Sequence, residues 1–345
     1  MKVLVTGGAG FIGSTIASAC LDEGIEPVIL DSLCTGRVEF TRGRIFYPGD
    51  IADGALIDRI FAEHPEIGAV VHAAALIVVP ESVSEPLRYY RENVAKSLDL
   101  LDHVIRNGVT RYVFSSSAAI YRTGADLSVN ESSPLEPASP YARTKAMMET
   151  VLADTAEATP LRALSLRYFN PIGADPLLRT GLQLPRPTHA LGKLIDAWTD
   201  GGEFLITGTD WPTRDGSGIR DYIHVWDLAR AHVCALRRFD EILPPGGDRS
   251  VEAINLGTGD GTTVRELVAA FAEAVGPVRT RDAPPRPGDG AGSFTRSTRS
   301  RLLLDWKPEY SVADGIRHAV QWCRVRDELL GVRPPARHLH HSGGR

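Results

Sequence analysis

"VLVTGGAGFIGSTIASACL", residues 3–21, decides the fold. An apolar run passes directly into Gly7, Gly8, Gly10 and Gly13, and these pass directly into a helical pattern. The spacing satisfies both GxxGxxG and GxGxxG. Glycine is required where a backbone turns tightly, approaches a pyrophosphate and lets a helix pack closely on its strand. The helix beyond offers free N–H groups and the positive end of its dipole to phosphate. Asp31 closes the next strand-like run, "EPVILD" (26–31), 18 residues after Gly13. A carboxylate there takes both ribose hydroxyls of an adenosine and repels a 2′-phosphate, so NAD is expected rather than NADP. Arg37 is the nearby group that argues the other way. "GDI" (49–51) follows a further strand-like run, where Asp50 and Ile51 either meet the adenine edge or merely cap a helix.

Outward from this unit, "AVVHAA" (69–74), "RYVFSS" (111–116) and "LRALSLRYFN" (161–170) read as further strands. Helical patterns at 11–23, 53–64 and 86–107 lie between the earlier ones. Alternating strands and helices with short loops imply an α/β fold, a Rossmann-type doubly wound parallel sheet. After Asn170 the texture changes: 171–220 are rich in Gly, Pro, Thr and Asp, and regular patterns return at 221–239, 252–259, 262–275 and 311–329. The expected organisation is therefore interleaved. Residues 1–172 plus about 223–257 form the NAD-binding domain, and about 173–222 plus 258–330 a smaller α/β substrate lobe. Residues 331–345 read as a disordered, weakly basic tail.

The 345 residues are 43% hydrophobic and 23% charged, ordinary globular values, with a net charge of −5. That charge argues against nucleic acid or an anionic membrane as the main partner. Cys20, Cys34, Cys234 and Cys323 lack metal-type spacing and read as small apolar fillers in a reducing compartment. With no leader-like opening and no apolar run of spanning length, a soluble cytoplasmic protein is expected.

The stretch "SPYARTKAMMETVL" (139–152) carries the chemistry. Ser139 is placed as N-cap and Pro140 as first helical residue. Tyr141, Lys145, Met148 and Leu152 then share one face, which turns a lysine toward the interior, where an unpaired ammonium is costly. A dinucleotide supplies the reason. A free tyrosine, with a pKa near ~10, is a poor base at neutral pH. A neighbouring ammonium and an oxidised nicotinamide both favour its phenolate. "FSSSAA" (114–119) places Ser115, Ser116 and Ser117 at the carboxyl end of the central strand, where open α/β sheets bind ligands.

Together these features resemble the extended short-chain dehydrogenase/reductase family, and more closely its UDP-glucose (UDP-galactose) 4-epimerase branch. The resemblance spans roughly residues 1–330. It rests on "TGGAGFIG", "ESVSEPLRYYRENV" (81–94), "FSSSAAIY" (114–121), "SPYARTK", "LRYFNPIGA" (166–174) and "DWPTRDGSGIRDYIHVWDLA" (210–229). It implies that a tyrosine takes the proton of the sugar 4-hydroxyl while C4 passes hydride to NAD. The 4-keto sugar then turns over and is reduced on its other face. Tyr141 matches that base, Ser117 or Ser116 its hydrogen-bond partner, and Lys145 its electrostatic support.

The resemblance carries cofactor contacts to Gly7, Gly10, Phe11, Ile12, Gly13, Asp31, Ser32, Asp50 and Ile51. Further contacts fall on Ala73, Ala74, Ala75, Asn93, Ser115, Tyr141, Lys145 and Tyr168. Substrate contacts fall on Ser117, Tyr141, Asn170, Arg220, Arg286, Asp289 and Ser293, the last at a gate whose small side chain admits a 2-acetamido sugar. Two arginines suit a diphosphate and an aspartate suits a ribose. A homodimer packed through helices 86–107 and 141–156 is also implied.

Four positions depart from the branch: Ile77 in place of a lysine, Pro80 in place of a glycine, Arg122 in place of a glycine, and the 175–190 loop with Thr188 and His189. Arg122 either is solvated or pairs with the carboxylate of a UDP-glucuronate. Ala118 and Ala119 replace the acids a 4,6-dehydratase or uronate decarboxylase needs, so those readings drop. The histidines outside the tail lack paired ligand spacing, so no metal is expected. A catalytically idle NAD-binding protein remains the alternative from another class, against which the retained Tyr141 and Lys145 speak.

Overall fold

The structure is a computed structural model that describes residues 1–285 and 290–331. Its centre is a seven-stranded sheet of β1 (Lys2–Thr6), β2 (Glu26–Asp31), β3 (Ile45–Pro48), β4 (Ile67–His72), β5 (Arg111–Ser117), β6 (Arg162–Tyr168) and β7 (Val251–Leu256). Every pairing is parallel, in the order β3-β2-β1-β4-β5-β6-β7. The order reverses between β1 and β4, and that switch point opens a crevice at the carboxyl ends of the strands.

Eight longer helices accompany it: α1 (Phe11–Asp22), α2 (Gly54–Glu63), α3 (Lys96–Arg106), α4 (Pro140–Ala158), α5 (Ala190–Thr199), α6 (Val225–Arg237), α7 (Val264–Ala274) and α8 (Val312–Leu329). The strands are apolar on both faces because both are covered. Val3, Val5, Val71, Val113, Leu164 and Leu166 pack with α1 and α6. Leu4, Leu30, Val70, Tyr112 and Phe114 pack with α2, α3 and α4. Side chains one residue apart on β5 therefore serve opposite layers.

A second core holds α5, α7 and α8 around Leu194, Phe204, Leu267, Phe271 and Ile316. Thr263 with Glu266, and Ser311 with Asp314, close capping boxes at the starts of α7 and α8. A small sheet orders Thr262–Thr263, Ile219–Arg220, Gly292–Thr295 and Ser128–Val129. Ser128–Val129 comes from the half of the chain expected to serve the Rossmann domain, yet it pairs with Phe294–Thr295. Conversely Leu304 and Trp306, expected in the lobe, pack in the Rossmann core, where the Trp306 indole donates to the Asp227 carbonyl at 3.1 Å. The interleaving runs deeper than the texture of the sequence shows. Of the four cysteines, Cys20 is buried as a filler, whereas Cys34 is exposed.

His224 and His318, remote in sequence, meet at 2.9 Å between Nε2 and Nδ1. His224 Nδ1 accepts from the Trp226 N–H as the cap of α6, so the ring is neutral. Burial pushes its pKa down to about 3, and burial lowers that of His318. A histidine whose folded pKa lies below the unfolded value contributes stability above about pH 6.5 that is lost as pH falls. The thermal midpoint is therefore expected to drop between about pH 7 and 5. His224→Asn, which keeps an N-cap side chain, should flatten that slope in a scanning-fluorimetry series.

Candidate active site

The glycine loop follows β1. Gly7 sits at φ +70°, and a Cβ there would lie 2.7 Å from the Ala74 amide nitrogen. A Cβ on Gly13 would fall on the Gly7 carbonyl oxygen. The loop is thus pressed on the backbone after β4, and any side chain at these positions would fill the cradle. Gly10 precedes α1 as its N-cap with no side-chain cap, which leaves the first N–H groups of that helix free for an anion.

Asp31 ends β2 beside this cradle. Its carboxylate accepts from the Ala9 N–H at 2.9 Å and the Leu33 N–H at 2.7 Å, which fixes both oxygens. Burial raises its pKa and the two backbone bonds oppose that. Ser32 follows it and is exposed. Asp50 accepts from the Ala52 N–H at 2.9 Å and from Lys96 at 2.6 Å, while the helix cap of α2 is Asp53. The cap reading of Asp50 therefore does not hold, and Ile51 is buried under β2 and β3.

Ala73, Ala74 and Ala75 run across the carboxyl end of β4. A chain of polar groups holds this end: Thr6 to His72 at 2.7 Å, His72 to Ser97 at 2.9 Å, and the Ser97 hydroxyl to the Asn93 carbonyl at 2.9 Å. Asn93 lies in a π-helical turn, Arg91–Ala95, that interrupts the long helix ending in α3. Such turns are frequent at functional sites because they aim one side chain out of register. Here the Asn93 amide brackets Leu76, accepting from its N–H at 2.8 Å and donating to its carbonyl at 2.9 Å.

α4 begins as its sequence requires. Ser139 accepts from the Ala142 N–H at 3.1 Å, and Pro140 occupies the first turn. A cap of this kind contributes about 1 kcal/mol. Tyr141 is 8% exposed and packs with Leu76 and Tyr89. Burial raises its pKa, and the Ser117 hydroxyl beside it opposes that rise. Lys145 is 4% exposed, donates to the Ser115 carbonyl at 2.8 Å and lies 4.9 Å above the Phe114 ring. Burial pulls its pKa down to about 7, against the pull of Glu149. The amine of a buried lysine is thus held at the edge of its charged range.

The three serines separate by strand alternation. Ser117 turns to Tyr141 and accepts from the Ala119 N–H at 3.2 Å. Ser115 is buried on the same face, beside the Tyr168 hydroxyl. Ser116 points to the opposite face, the one α4 covers, and its hydroxyl is taken by donation to Glu149. Sequence reasoning left Ser117 and Ser116 both open as the partner; the regular alternation of β5 through Ser117 separates them.

The substrate candidates converge through one segment. Ile219–Arg220 pairs with Gly292–Ser293, and Tyr222–His224 pairs with Asn170–Ile172. Arg220 and Ser293 are thereby direct neighbours, and Asn170 donates its N–H to the Asp221 carbonyl at 3.0 Å. The Arg220 guanidinium donates to the Ile219 and Ala291 carbonyls at 2.7 and 3.0 Å. Asp221, not singled out in the sequence, is fully buried between them and accepts from Thr258 twice, Gly259 and Thr295. A charged residue inside "GIRDY" was its only signal. Arg286 and Asp289 lie outside the described residues, as does the tail from residue 332.

Of the departures, Ile77 is 60% exposed, and Pro80 sits in the first turn of the short helix Val79–Ser84. Arg122 is drawn to Glu136 at 3.6 Å on the surface, where its charge is already matched. His189 caps α5, its Nδ1 accepting from the Gly192 N–H at 3.2 Å.

A glycine cradle, an acid at the end of β2 and a helix carrying tyrosine and lysine are the parts of a dinucleotide-binding site. The model of the NAD dependent epimerase/dehydratase family matches residues 3–257. The chain belongs to that family. Among its relatives, the UDP-glucose 4-epimerase of Azospirillum brasilense is 43% identical over 96% of this chain and 94% of its own length. That of Rhizobium meliloti is 40% identical over 95% and 98%. Among solved structures, a UDP-glucose 4-epimerase from Stenotrophomonas maltophila, with bound NAD and formylated UDP-arabinopyranose, superposes with TM-score 0.89. It is 38% identical, covering 95% of this chain and 99% of that one. The Bifidobacterium longum enzyme in complex with NAD+ and UDP gives TM-score 0.84 at 34% identity, over 93% and 98%. Membership of this epimerase/dehydratase family agrees with the fold expected from residues 3–31 and with the motifs at 114–174 and 210–229.

Proposed function

We propose that this protein is an NAD-dependent UDP-sugar 4-epimerase that interconverts UDP-glucose and UDP-galactose. The observation that carries this reading is the buried Tyr141, with Ser117 at its hydroxyl and Lys145 one turn on, set beside a glycine cradle that accepts no side chain. The names and bound ligands of the relatives support it.

NAD fits these residues. The free N–H groups of α1 and the cradle of Gly7, Gly10 and Gly13 hold the pyrophosphate, with Phe11 and Ile12 in the first turn of that helix. Asp31 would take the adenosine ribose with its remaining lone pairs, Ser32 adjoins it, and Asp50 and Ile51 would serve the adenine. Ala73, Ala74 and Ala75, with Asn93 fixing the loop after them, would form the floor, and Ser115 and Tyr168 would serve the nicotinamide. When bound, NAD supplies the reversible two-electron oxidation of the sugar C4.

Tyr141 takes the proton of the 4-hydroxyl and later returns it. Ser117 donates to the phenolate and favours it. The ammonium of Lys145 favours the same ionised state and is available to the nicotinamide ribose. Arg220 and Asn170 hold the diphosphate. Because the grip is on the nucleotide, the sugar ring is left free to present either face.

Ser293, beside Arg220, leaves room for a 2-acetamido group, so UDP-N-acetylglucosamine is expected as a second substrate. Ser293→Tyr should cut conversion of the acetamido sugar at least tenfold more than that of UDP-glucose. Separate product assays with UDP-glucose, UDP-N-acetylglucosamine and UDP-glucuronate, resolving 4-epimers chromatographically, test the reading. An equilibrium mixture from UDP-glucose supports it; conversion of UDP-glucuronate alone, or of none, rejects it.

The assembly we propose is a homodimer. Leu87, Leu98 and Met147 are exposed apolar side chains on the helices of 86–106 and 140–158, the faces a second copy would cover. Sedimentation equilibrium decides this. A reducing cytoplasm suits its four free thiols, and no helix among the described residues is long and apolar enough to cross a membrane.

A further inference from the structure

One carboxylate under the site is unaccounted for by the roles above. Glu149 lies on α4 at i+8 from Tyr141 and i+4 from Lys145, so the three share a stripe. Its side chain is 11% exposed. It accepts the Ser116 hydroxyl of β5 and is gripped from β6 by Arg167, whose Nε lies 2.9 and 3.1 Å from the two carboxylate oxygens and whose Nη2 also donates. The Arg167 Nη1 donates to the Tyr121 hydroxyl at 2.8 Å, and that hydroxyl donates to Asn255 on β7 at 2.6 Å. Glu149 therefore ties the catalytic helix to three neighbouring strands. It does so on the face of β5 opposite to Ser117.

We propose that Glu149 is a positioning residue for the Tyr141–Lys145 pair, its fixed carboxylate keeping the Lys145 amine in the ammonium form that the tyrosine base needs. The inference rests on the epimerase reading of the site.

The groups packed around Lys145 leave this task to Glu149. His72 of β4 is buried and neutral, pushed down to about 3 by burial and by Lys145 itself. Tyr141 on the same helix and Tyr168 on β6 are both held toward the neutral phenol by burial. Glu81, from the preceding helices, is engaged by Arg88 and the Tyr89 hydroxyl, each at 2.8 Å. Glu92 is bonded to Lys96. The remaining charge is Arg167, which stays cationic under all working conditions. If Glu149 lost its charge, two desolvated cations would share the ends of β5 and β6. Lys145, the weaker base, would release its proton first. The opposite follows if Arg167 is removed: Glu149 would then act on Lys145 undivided.

The chain has only five lysines, so their side-chain carbons can be followed individually by NMR in holoenzyme labelled with carbon-13 lysine, with Lys145→Met assigning the signal. In Glu149→Gln the Lys145 titration midpoint is expected to fall by about one pH unit or more, and the alkaline limb of kcat to move with it. In Arg167→Gln the midpoint should rise. Tyr121→Phe, which loosens the same network without changing charge, should leave it in place. Equal midpoints in the parent, Glu149→Gln and Arg167→Gln overturn the inference. If Glu149→Gln does not fold, an unchanged midpoint in Arg167→Gln overturns it alone. Because the midpoint is read without substrate, a parent enzyme inactive on UDP-sugars but showing these shifts would reject the epimerase reading and leave only the coupling of Glu149 to Lys145 standing.

Discussion

Tyr141→Phe is expected to reduce kcat by about 10²- to 10⁴-fold, the range that a positioned acid–base group contributes, with fold and bound NAD retained. The change removes one oxygen and leaves the ring packed between Leu76 and Tyr89, so neither the core nor the glycine cradle is disturbed. What disappears is the proposed acceptor for the 4-hydroxyl proton. Ser117 cannot replace it: its hydroxyl has a far higher pKa than a phenol, and its oxygen already accepts the Ala119 N–H. Tyr168 also lies on this side of the sheet, next to Ser115, but burial holds it toward the neutral form. The decisive measurement is kcat by product chromatography, paired with cofactor content and a thermal scan. A variant retaining more than a tenth of parent activity would move the base elsewhere, and Tyr168 would be examined next.

The second large effect is expected at Gly13. In Gly13→Ala the new methyl group lands on the Gly7 carbonyl oxygen and within 3.0 Å of the Gly8 Cα. Neither is the end of a flexible side chain, so the loop itself must shift. Overpacking of this kind costs about 1–3 kcal/mol in stability. The displaced segment is the one that presents its backbone to the pyrophosphate, and Gly7, at φ +70° against Ala73 and Ala74, has no room to retreat. Bound NAD per chain, measured by release and absorbance, should fall at least tenfold, and the thermal midpoint should fall with it. Gly202→Ala is the control, since a Cβ there meets only Ala197 at 3.8 Å. Loss of cofactor in both variants would mean a general destabilisation; full retention in Gly13→Ala would mean that the pyrophosphate lies elsewhere.

Both effects could be located from the sequence because each depends on local spacing. Glycines at 7, 10 and 13 define a turn whichever lobe surrounds it, and i, i+4 spacing puts Tyr141 and Lys145 on one stripe of any helix. The same rule reached Met148 and Leu152 and passed over Glu149, four residues beyond Lys145, because a glutamate on a helix is ordinarily solvated. Its partner Arg167 is 18 residues away and on another strand, and only the packing of α4 across β5 and β6 shows that the two are buried together.

By itself, the sequence determined the parallel sheet, its first crossover, the preference for NAD and the tyrosine–lysine pair, all of which follow from periodicity and short-range stereochemistry. The tertiary structure alone decided which serine serves Tyr141: Ser116, on the α4 face of β5, is taken by Glu149, and Ser117, at the end of the strand, lies beside the Tyr141 hydroxyl. It also decided that Arg220, Ser293 and Asn170 meet, through two short ladders on either side of the buried Asp221. The physical reason is that strand pairing and burial are set by partners far away in the chain, and no local pattern at either residue records which partner it will find.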